Sequence, residues 1–327
     1  MDGNRHGGHE AKQMKVVAAR LVEHGKPVLV EAVDLPEPGQ GEVIVDLAFA
    51  GVNPVDHYGA LGRVAADGPV PRTLGTEASG RVNGRAVMVG GHGLGTRRDG
   101  LWATRAVVPE ESLIDVPQGV SLEHAAAMGV AGATAWCTVT EVAKVTPEDR
   151  VLILGASGGV GSIAVSVVRA LGATVWGQTE SADKASWVRQ RGAQQVVSAG
   201  ADSLVDAVRE LRPTVVIDPL GDGFFGAALE ALVERGRLVI FGTSAGDRGD
   251  VPLQALYRKG LTVYGYGGLL DNEETRARHS ADALEAARDG RLEVVIDRIM
   301  ALDQVNEAFE LLAERKVQGK LVLDLRG

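Results

Sequence analysis

Residues Gly155-Ala156-Ser157-Gly158-Gly159-Val160-Gly161 follow an apolar run from Arg150 to Leu154 and open a segment, Ser162 to Leu171, that carries no charge before Arg169. An apolar strand, a glycine turn and a helix N-terminus in that order aim backbone amides and a helix dipole at one point, where a dinucleotide pyrophosphate can sit. A chain with 43 glycines produces glycine-rich matches by chance, so it is the strand before and the helix after that give this one its meaning. A cofactor with a free adenosine ribose usually meets an Asp or Glu about 20 residues further on, at the end of the second strand. Here Gly177-Gln178-Thr179 ends that strand. Without a carboxylate to repel a 2′-phosphate, and with Ser181 and Lys184 just beyond to supply a hydrogen bond and a charge, NADP(H) is the expected cofactor, although Glu180 argues the other way.

The other reactive side chains read more plainly. The single cysteine, Cys137, excludes an intramolecular disulfide and a four-thiolate zinc site, and with only Lys144 as a nearby base it is expected to be a buried, inert thiol in a cytoplasmic protein. His57 is expected to pack, and Trp102 to sit in a core. His92, Arg97 and Arg98 are solvated loop groups, or, on a sharper reading, a set that steers an anionic substrate. Asp218 is expected to support a loop. His6 and His9 belong to a polar stretch, residues 1–13, read as a disordered extension.

The elements that must position these residues fall into two patterns. From Met14 short strands alternate with turns: Lys15 to Leu21, Val28 to Val33, Glu42 to Ala50, then a pair, Gly80 to Val89 and Leu101 to Val108, around the glycine-rich loop Gly90 to Gly100. After Pro117, Ser121 caps a helix running through Met128, and strands then alternate with helices as far as the strand Leu261 to Tyr266 and a polar helix, Glu273 to Asp289. A strand Leu292 to Asp297, a helix Leu302 to Glu314 and a last strand, Lys320 to Leu325, are expected to return to the first domain. A chain of 327 residues exceeds the length at which one core stops growing, so two domains are predicted: residues 14–117 with 290–327, and residues 118–289. The 45% hydrophobic and 24% charged content is that of a globular protein, no apolar run is long enough to span a bilayer, and a net charge of -9 disfavours nucleic acid as a partner.

Taken together, Gly51-Val-Asn-Pro-Val-Asp-His-Tyr58, Leu74-Gly-Thr-Glu-Ala-Ser-Gly80, Ala125-Ala-Ala-Met-Gly-Val-Ala-Gly-Ala-Thr-Ala135, the loop from Gly155 to Gly161, Gly236-Arg-Leu-Val-Ile-Phe-Gly242 and Gly319-Lys-Leu-Val-Leu323 resemble the medium-chain dehydrogenase/reductase superfamily, in its quinone oxidoreductase (zeta-crystallin-like) branch. The resemblance implies an α/β fold, a Rossmann doubly wound parallel sheet plus a GroES-like β-rich catalytic domain, and a homodimer joined near Leu261 to Tyr266. It implies that Tyr58 and Thr134 touch the nicotinamide ribose, that Phe241, Gly242 and Thr243 face the carboxamide, and that Lys320 approaches the cofactor phosphates. Zinc-dependent relatives have a cysteine where this chain has Asn53 and a Gly-His-Glu segment where it has Gly75-Thr76-Glu77, so no metal is expected. The loop from Gly90 to Gly100 looks closer to that of acrylyl-CoA reductases.

Hydride transfer to an enone or quinone builds negative charge on oxygen and calls for a donor and a proton source. Asn53 is the expected donor, and Asp56 and Tyr58 are expected to order a water or relay a proton; the alternative is that Asn53 and Asp56 only shape a turn. The expected activity is NADPH-dependent reduction of a small-molecule quinone or α,β-unsaturated carbonyl without metal. The alternatives are an enoyl-CoA reductase and a non-catalytic NADP-binding protein.

Overall fold

A computed structural model describes residues 14–327; the reading of residues 1–13, with His6 and His9, lies outside them. The first part of the chain runs β1 (Lys15–Leu21), β2 (Leu29–Asp34), β3 (Glu42–Val52), α1 (Pro54–Ala60), β4 (Arg72–Thr73), β5 (Glu77–Val82), β6 (Arg85–Gly90), β7 (Arg105–Pro109) and β8 (Leu113–Asp115). Then come α2 (Leu122–Ala125), α3 (Ala131–Cys137), which continues as a π turn over Thr138–Val142, β9 (Arg150–Ile153), α4 (Gly159–Ala170), β10 (Thr174–Thr179), α5 (Ala182–Gln190) and β11 (Gln195–Ser198). They are followed by α6 (Ala201–Ala207), β12 (Val215–Asp218), α7 (Gly223–Ala231), β13 (Arg237–Ile240), α8 (Leu253–Arg258), β14 (Thr262–Gly265) and α9 (Glu273–Arg288). The chain closes with β15 (Ile296–Ala301), α10 (Val305–Ala313) and β16 (Lys320–Asp324).

Strands β9 to β14 form one parallel sheet in the order β11-β10-β9-β12-β13-β14. The chain starts in the middle and winds outward both ways, so the crevice between β9 and β12 is the switch point at which such sheets bind dinucleotides. Val151, Leu152, Ile153, Val215, Val216 and Ile217 of these two strands are fully buried, as continuous apolar strands covered on both faces must be. The remaining strands make a three-stranded sheet, β2-β1-β4, and a seven-stranded one, β15-β16-β3-β5-β6-β8 with β7 also paired to β3. The chain therefore leaves the second sheet at β8 and rejoins it at β15 and β16. This is the Rossmann sheet with a GroES-like β-rich companion.

Three expected elements differ. Gly80 to Val89 is two strands, because Asn83 and Gly84 take positive φ (49° and 82°) and make the tight turn that an Asn-Gly pair favours. Their partners also differ: β6 pairs with β8, and β7 pairs with β3. The apolar Leu292 and Val294 are not in a strand; the chain there turns off the end of α9, with the amides of Arg291 and Leu292 donating to Ala286, and β15 begins at Ile296. Ser121 does cap a helix, its hydroxyl accepting from His124 N, but α2 ends at Ala125.

Candidate active site

A cavity of about 800 Å³ runs from the N-terminus of α4 to the C-terminal end of β3. It is bordered by the β9–α4 loop, the ends of β10 and β13, α1, α3 and the segment before β16. Of the residues expected to act here, Asn53, Tyr58, Thr134, Gly155, Ser157, Gly158, Gly159, Val160, Gly161, Thr179, Lys184, Phe241, Gly242, Thr243 and Lys320 line it; Asp56 and Ser181 do not.

At one end the loop is built for close approach. Gly155 has φ of 58°, and a Cβ on Gly161 would stand 2.4 Å from the carbonyl oxygen of Gly155, so a side chain at either place would force the turn off the helix. The amides of Gly159, Val160 and Gly161 have no partner within α4, whose first internal hydrogen bond runs from Ser162 N to Gly158 O. Buried Gln178 pins the loop from beneath: its Oε1 accepts from Gly155 N (3.0 Å) and its Nε2 donates to Ala199 O (2.7 Å). The residue standing in place of an acid is therefore a brace between β10, β11 and the turn. The amides and the glycine cradle fit a phosphate group.

Just beyond, Thr179 Oγ1 donates to Ser181 O (3.0 Å) at the start of α5, which accounts for that turn without Ser181's side chain reaching the cavity. Lys184 Nζ donates to Arg315 O (2.6 Å), and the Arg315 guanidinium pairs with Glu180 and donates to Ser244 O. Arg315 thus joins Lys184 and neutralises Glu180 on the cavity rim. No local signal points to it, because it lies 135 positions after Glu180 in the chain.

At the other end stands a buried polar cluster. Asn53 Nδ2 donates to Glu77 Oε1 (2.7 Å), Val130 N donates to Glu77 Oε2 (2.8 Å), and Lys320 Nζ donates to Asn53 Oδ1 (2.5 Å) and Glu77 Oε1 (3.1 Å). The stem of Lys320 does lie against Gly159, but its ammonium turns away from the phosphate loop, because a charge left only 3% exposed needs the Glu77 carboxylate. One amide, one carboxylate and an ammonium that is itself a cation are not a donor set for zinc. Glu77 is the member of this cluster that the sequence offered only as part of Gly75-Thr76-Glu77, the segment that stands where zinc-dependent relatives have Gly-His-Glu.

Asp56 is a correction to the expected proton relay. Its Oδ2 accepts from Asn53 N (2.9 Å), and its Oδ1 accepts from Thr76 N and Thr76 Oγ1 (3.1 and 2.9 Å), so both oxygens are spent on capping α1 and joining it to the turn before β5. Burial, opposed by these hydrogen bonds, raises its pKa to about 6. His57 stacks on Phe309 with ring centroids 4.8 Å apart, and Trp102 is fully buried with Nε1 donating to Gly51 O, both as expected. Arg97 and Arg98 pair with Asp67 and Glu42 outside the cavity, and only His92 of that set borders it, its amide donating to Glu273. Asp218 supports its loop by accepting from Leu220 N and Gly221 N.

A parallel sheet with a glycine loop that fits a phosphate at its switch point, opening on a cavity with a buried polar cluster at its far end, is the site of a nicotinamide-dependent oxidoreductase. Residues 159–281 match the family model described as "Zinc-binding dehydrogenase". The chain is 31% identical over 320 residues to the quinone oxidoreductase of Salmonella typhimurium, covering 92% of this chain and 97% of that one. Among solved structures it resembles a mycobacterial protein complexed with NADPH (TM-score 0.82, 26% identity, 94% and 99% of the two chains covered). It also resembles an NAD-dependent alcohol dehydrogenase (TM-score 0.86, 28% identity, 94% and 99% covered). The chain belongs to the medium-chain dehydrogenase/reductase superfamily, in its quinone oxidoreductase branch, and is an NAD(P)-dependent oxidoreductase.

Proposed function

We propose that the protein uses NADPH to reduce a quinone or an α,β-unsaturated carbonyl compound, without a metal. The observation that carries this is one cavity with a phosphate loop at one end and, at the other, a cluster in which the Lys320 ammonium pairs with Glu77. Bound NADPH would supply the hydride. The amides of Gly159, Val160 and Gly161, with Gly155, Ser157 and Gly158 shaping the loop, would hold its pyrophosphate. Lys184 and Arg315 would hold the 2′-phosphate, with Thr179 at the strand end beneath. Solved relatives carry either nicotinamide cofactor in their names, so the choice rests on these residues. Tyr58 and Thr134 would border the nicotinamide ribose, and Phe241, Gly242 and Thr243 the carboxamide. Asn53 spends one amide hydrogen on Glu77, which leaves the second for the carbonyl oxygen of an acceptor.

We further propose that residues 14–117 with 290–327 form the catalytic domain and 118–289 the nucleotide domain, and that two copies pair through β14. The commitment of Arg97 and Arg98 elsewhere removes the support they would have lent to an acyl-CoA substrate. A single buried thiol suits a reducing cytoplasm, and no helix among the described residues is long and apolar enough to cross a membrane.

The test is NADPH and NADH oxidation against a panel of quinones, enones and enoyl-CoA esters, with fluorescence titration of each cofactor. Lys184→Ala and Arg315→Ala should each weaken NADPH by about tenfold or more, the size of a lost charge-assisted hydrogen bond, and leave NADH nearly unchanged. Equal weakening of both cofactors would return the two residues to the solvated surface.

A further inference from the structure

Every hydrogen of the buried Lys320 ammonium already has a partner. Nζ donates to Val52 O (3.3 Å), Asn53 Oδ1 (2.5 Å) and Glu77 Oε1 (3.1 Å), and an ammonium has three hydrogens to give. None is left for a cofactor phosphate, although the stem of Lys320 lies against Gly159 of the phosphate loop. The buried carboxylate that it meets is equally committed. Glu77 Oε1 also accepts from Asn53 Nδ2 (2.7 Å), and Oε2 accepts from Val130 N (2.8 Å), so three donors surround it. Two glycines make room for it: a Cβ on Gly51 would stand 2.1 Å from Oε1, and one on Gly129 3.1 Å from Oε2.

Between these two groups, chemistry decides which way the Asn53 amide points. Its Oδ1 faces an ammonium, which can only donate, and its Nδ2 faces a carboxylate, which can only accept. Half a turn of the amide would set oxygen against oxygen and NH2 against ammonium. Asn53 borders the cavity, and the second hydrogen on Nδ2 meets no acceptor among the described residues. A donor held in one orientation beside the place of the acceptor is what a developing oxyanion requires. The hold extends to the other end of the cavity. Gly319 N donates to Ser157 O (2.9 Å), Gly319 bridges Gly158, and Lys320 N donates to Val295 O (2.9 Å), so the backbone that carries the ammonium is fastened to the phosphate loop.

We propose that Glu77 and Lys320 are positioning residues, which together fix the Asn53 amide with its free hydrogen toward the carbonyl oxygen of the acceptor. The inference rests on the reduction proposed above. When a hydride reaches the electrophilic carbon of an enone or quinone, the displaced electron pair moves onto that oxygen, and the Asn53 N–H meets the charge without leaving its nitrogen. Glu77 and Lys320 act through Asn53. Removing either alone leaves the other as an unpaired buried charge and destabilises the fold, so the informative variant is Lys320→Met/Glu77→Gln, which is neutral and similar in volume. Val130 N still needs an oxygen there, so the new amide at position 77 gives its oxygen to Val130 and its NH2 to Asn53. Asn53 then turns its own oxygen toward position 77, and the hydrogen that faced the acceptor is lost while the fold is kept.

Two measurements on the full chain test this. Labelling with 15N-asparagine shows the side-chain NH2 pairs of only five residues, and Asn53→Ala assigns the pair in question. In the ligand-free wild type, one Asn53 hydrogen should lie downfield, as a bond to a carboxylate requires, and should exchange with water more slowly than those of the exposed Asn83 and Asn272. An Asn53 pair that behaves like those two would overturn the hold, whether or not any acceptor is found. The second measurement is NADPH oxidation with the quinones and enones of the panel. Lys320→Met/Glu77→Gln should lower kcat by about a hundredfold, the size of one lost oxyanion donor, with the KM of the acceptor little changed and NADPH affinity within about twofold of wild type. An NADPH affinity lowered by about tenfold would mean that Lys320 serves the cofactor phosphates and would overturn the positioning role. Unchanged kcat in the variant would also overturn it and leave the proposed reduction standing, whereas a wild-type protein that reduces nothing in the panel would remove the reduction and the positioning role together.

Discussion

At the scale of single residues, the site is held by groups whose partners lie far away in sequence. Asn53 and Asp56 were legible as chemical side chains, but Thr76 lies 20 positions from Asp56, Glu77 24 from Asn53 and Lys320 243 from Glu77, so no spacing rule connects them. The consequence for Asp56 is measurable. Its folded pKa, raised from 3.8 to about 6 by burial, means that the native state binds a proton more tightly than the unfolded chain does. The stabilisation from that proton is complete below the unfolded value and is lost as pH rises through the folded one. At about 1.4 kcal/mol per unit, the native state should lose about 3 kcal/mol from this group between pH 4 and pH 7. Asp56→Asn cannot titrate, and it forfeits one of the accepting oxygens, so it should be the less stable protein at pH 4 and should close the gap as pH rises. Urea denaturation of both proteins across that range checks this. Parallel curves would mean that Asp56 is ionised throughout.

At the scale of elements, the β9–α4 turn is the clearest case of sequence dictating structure. Gly161 is required not by its φ but by the oxygen of Gly155 and the Cα of Ala156, 2.4 and 2.9 Å from where a Cβ would go. Gly161→Ala must push the turn away from the helix and misdirect the amides, so cofactor affinity should fall at least about tenfold and stability by about 1–3 kcal/mol, as for overpacking elsewhere. Calorimetric titration with NADPH, together with thermal denaturation, reads both effects; tight binding in this variant would mean that the amides are not the phosphate contact. Other elements were equally legible for local reasons: the apolar strands β9 and β12 by composition, and α2's start by Ser121. What stayed hidden was decided by tertiary contact. Leu292 and Val294 have strand-like composition, yet they bury their side chains while the chain turns off α9, and no periodicity separates that from a strand. The Asn83-Gly84 turn is the opposite case, since its two residues announce a hairpin and only the length of the run from Gly80 to Val89 concealed it.

For the whole molecule, the parallel sheet ends in an edge that looks unfinished. Every residue of β14 is exposed, and Val263 and Tyr264 are each 38% exposed on a strand whose outer backbone groups have no sheet partner among the described residues. Around it, Leu253 (69%), Tyr257 (68%), Leu269 (58%) and Leu270 (91%) put apolar area into solvent. With Val251, seven of the fourteen large hydrophobic residues exposed among the described residues thus fall between positions 251 and 270. A protein that managed this edge as a monomer would place charge or proline on it, and neither is found in Thr262-Val-Tyr-Gly265. Two copies meeting edge to edge about a twofold axis would join their sheets antiparallel and cover the surrounding side chains. A Val263→Lys substitution then sets like charges close together across the axis and should convert a dimer of about twice the 34.2 kDa chain mass into monomers, as read by sedimentation velocity. Because Val263 does not line the cavity, the monomer should keep its cofactor affinity. A wild-type protein that sediments as a monomer, or a Val263→Lys variant that stays dimeric, would place the subunit contact elsewhere.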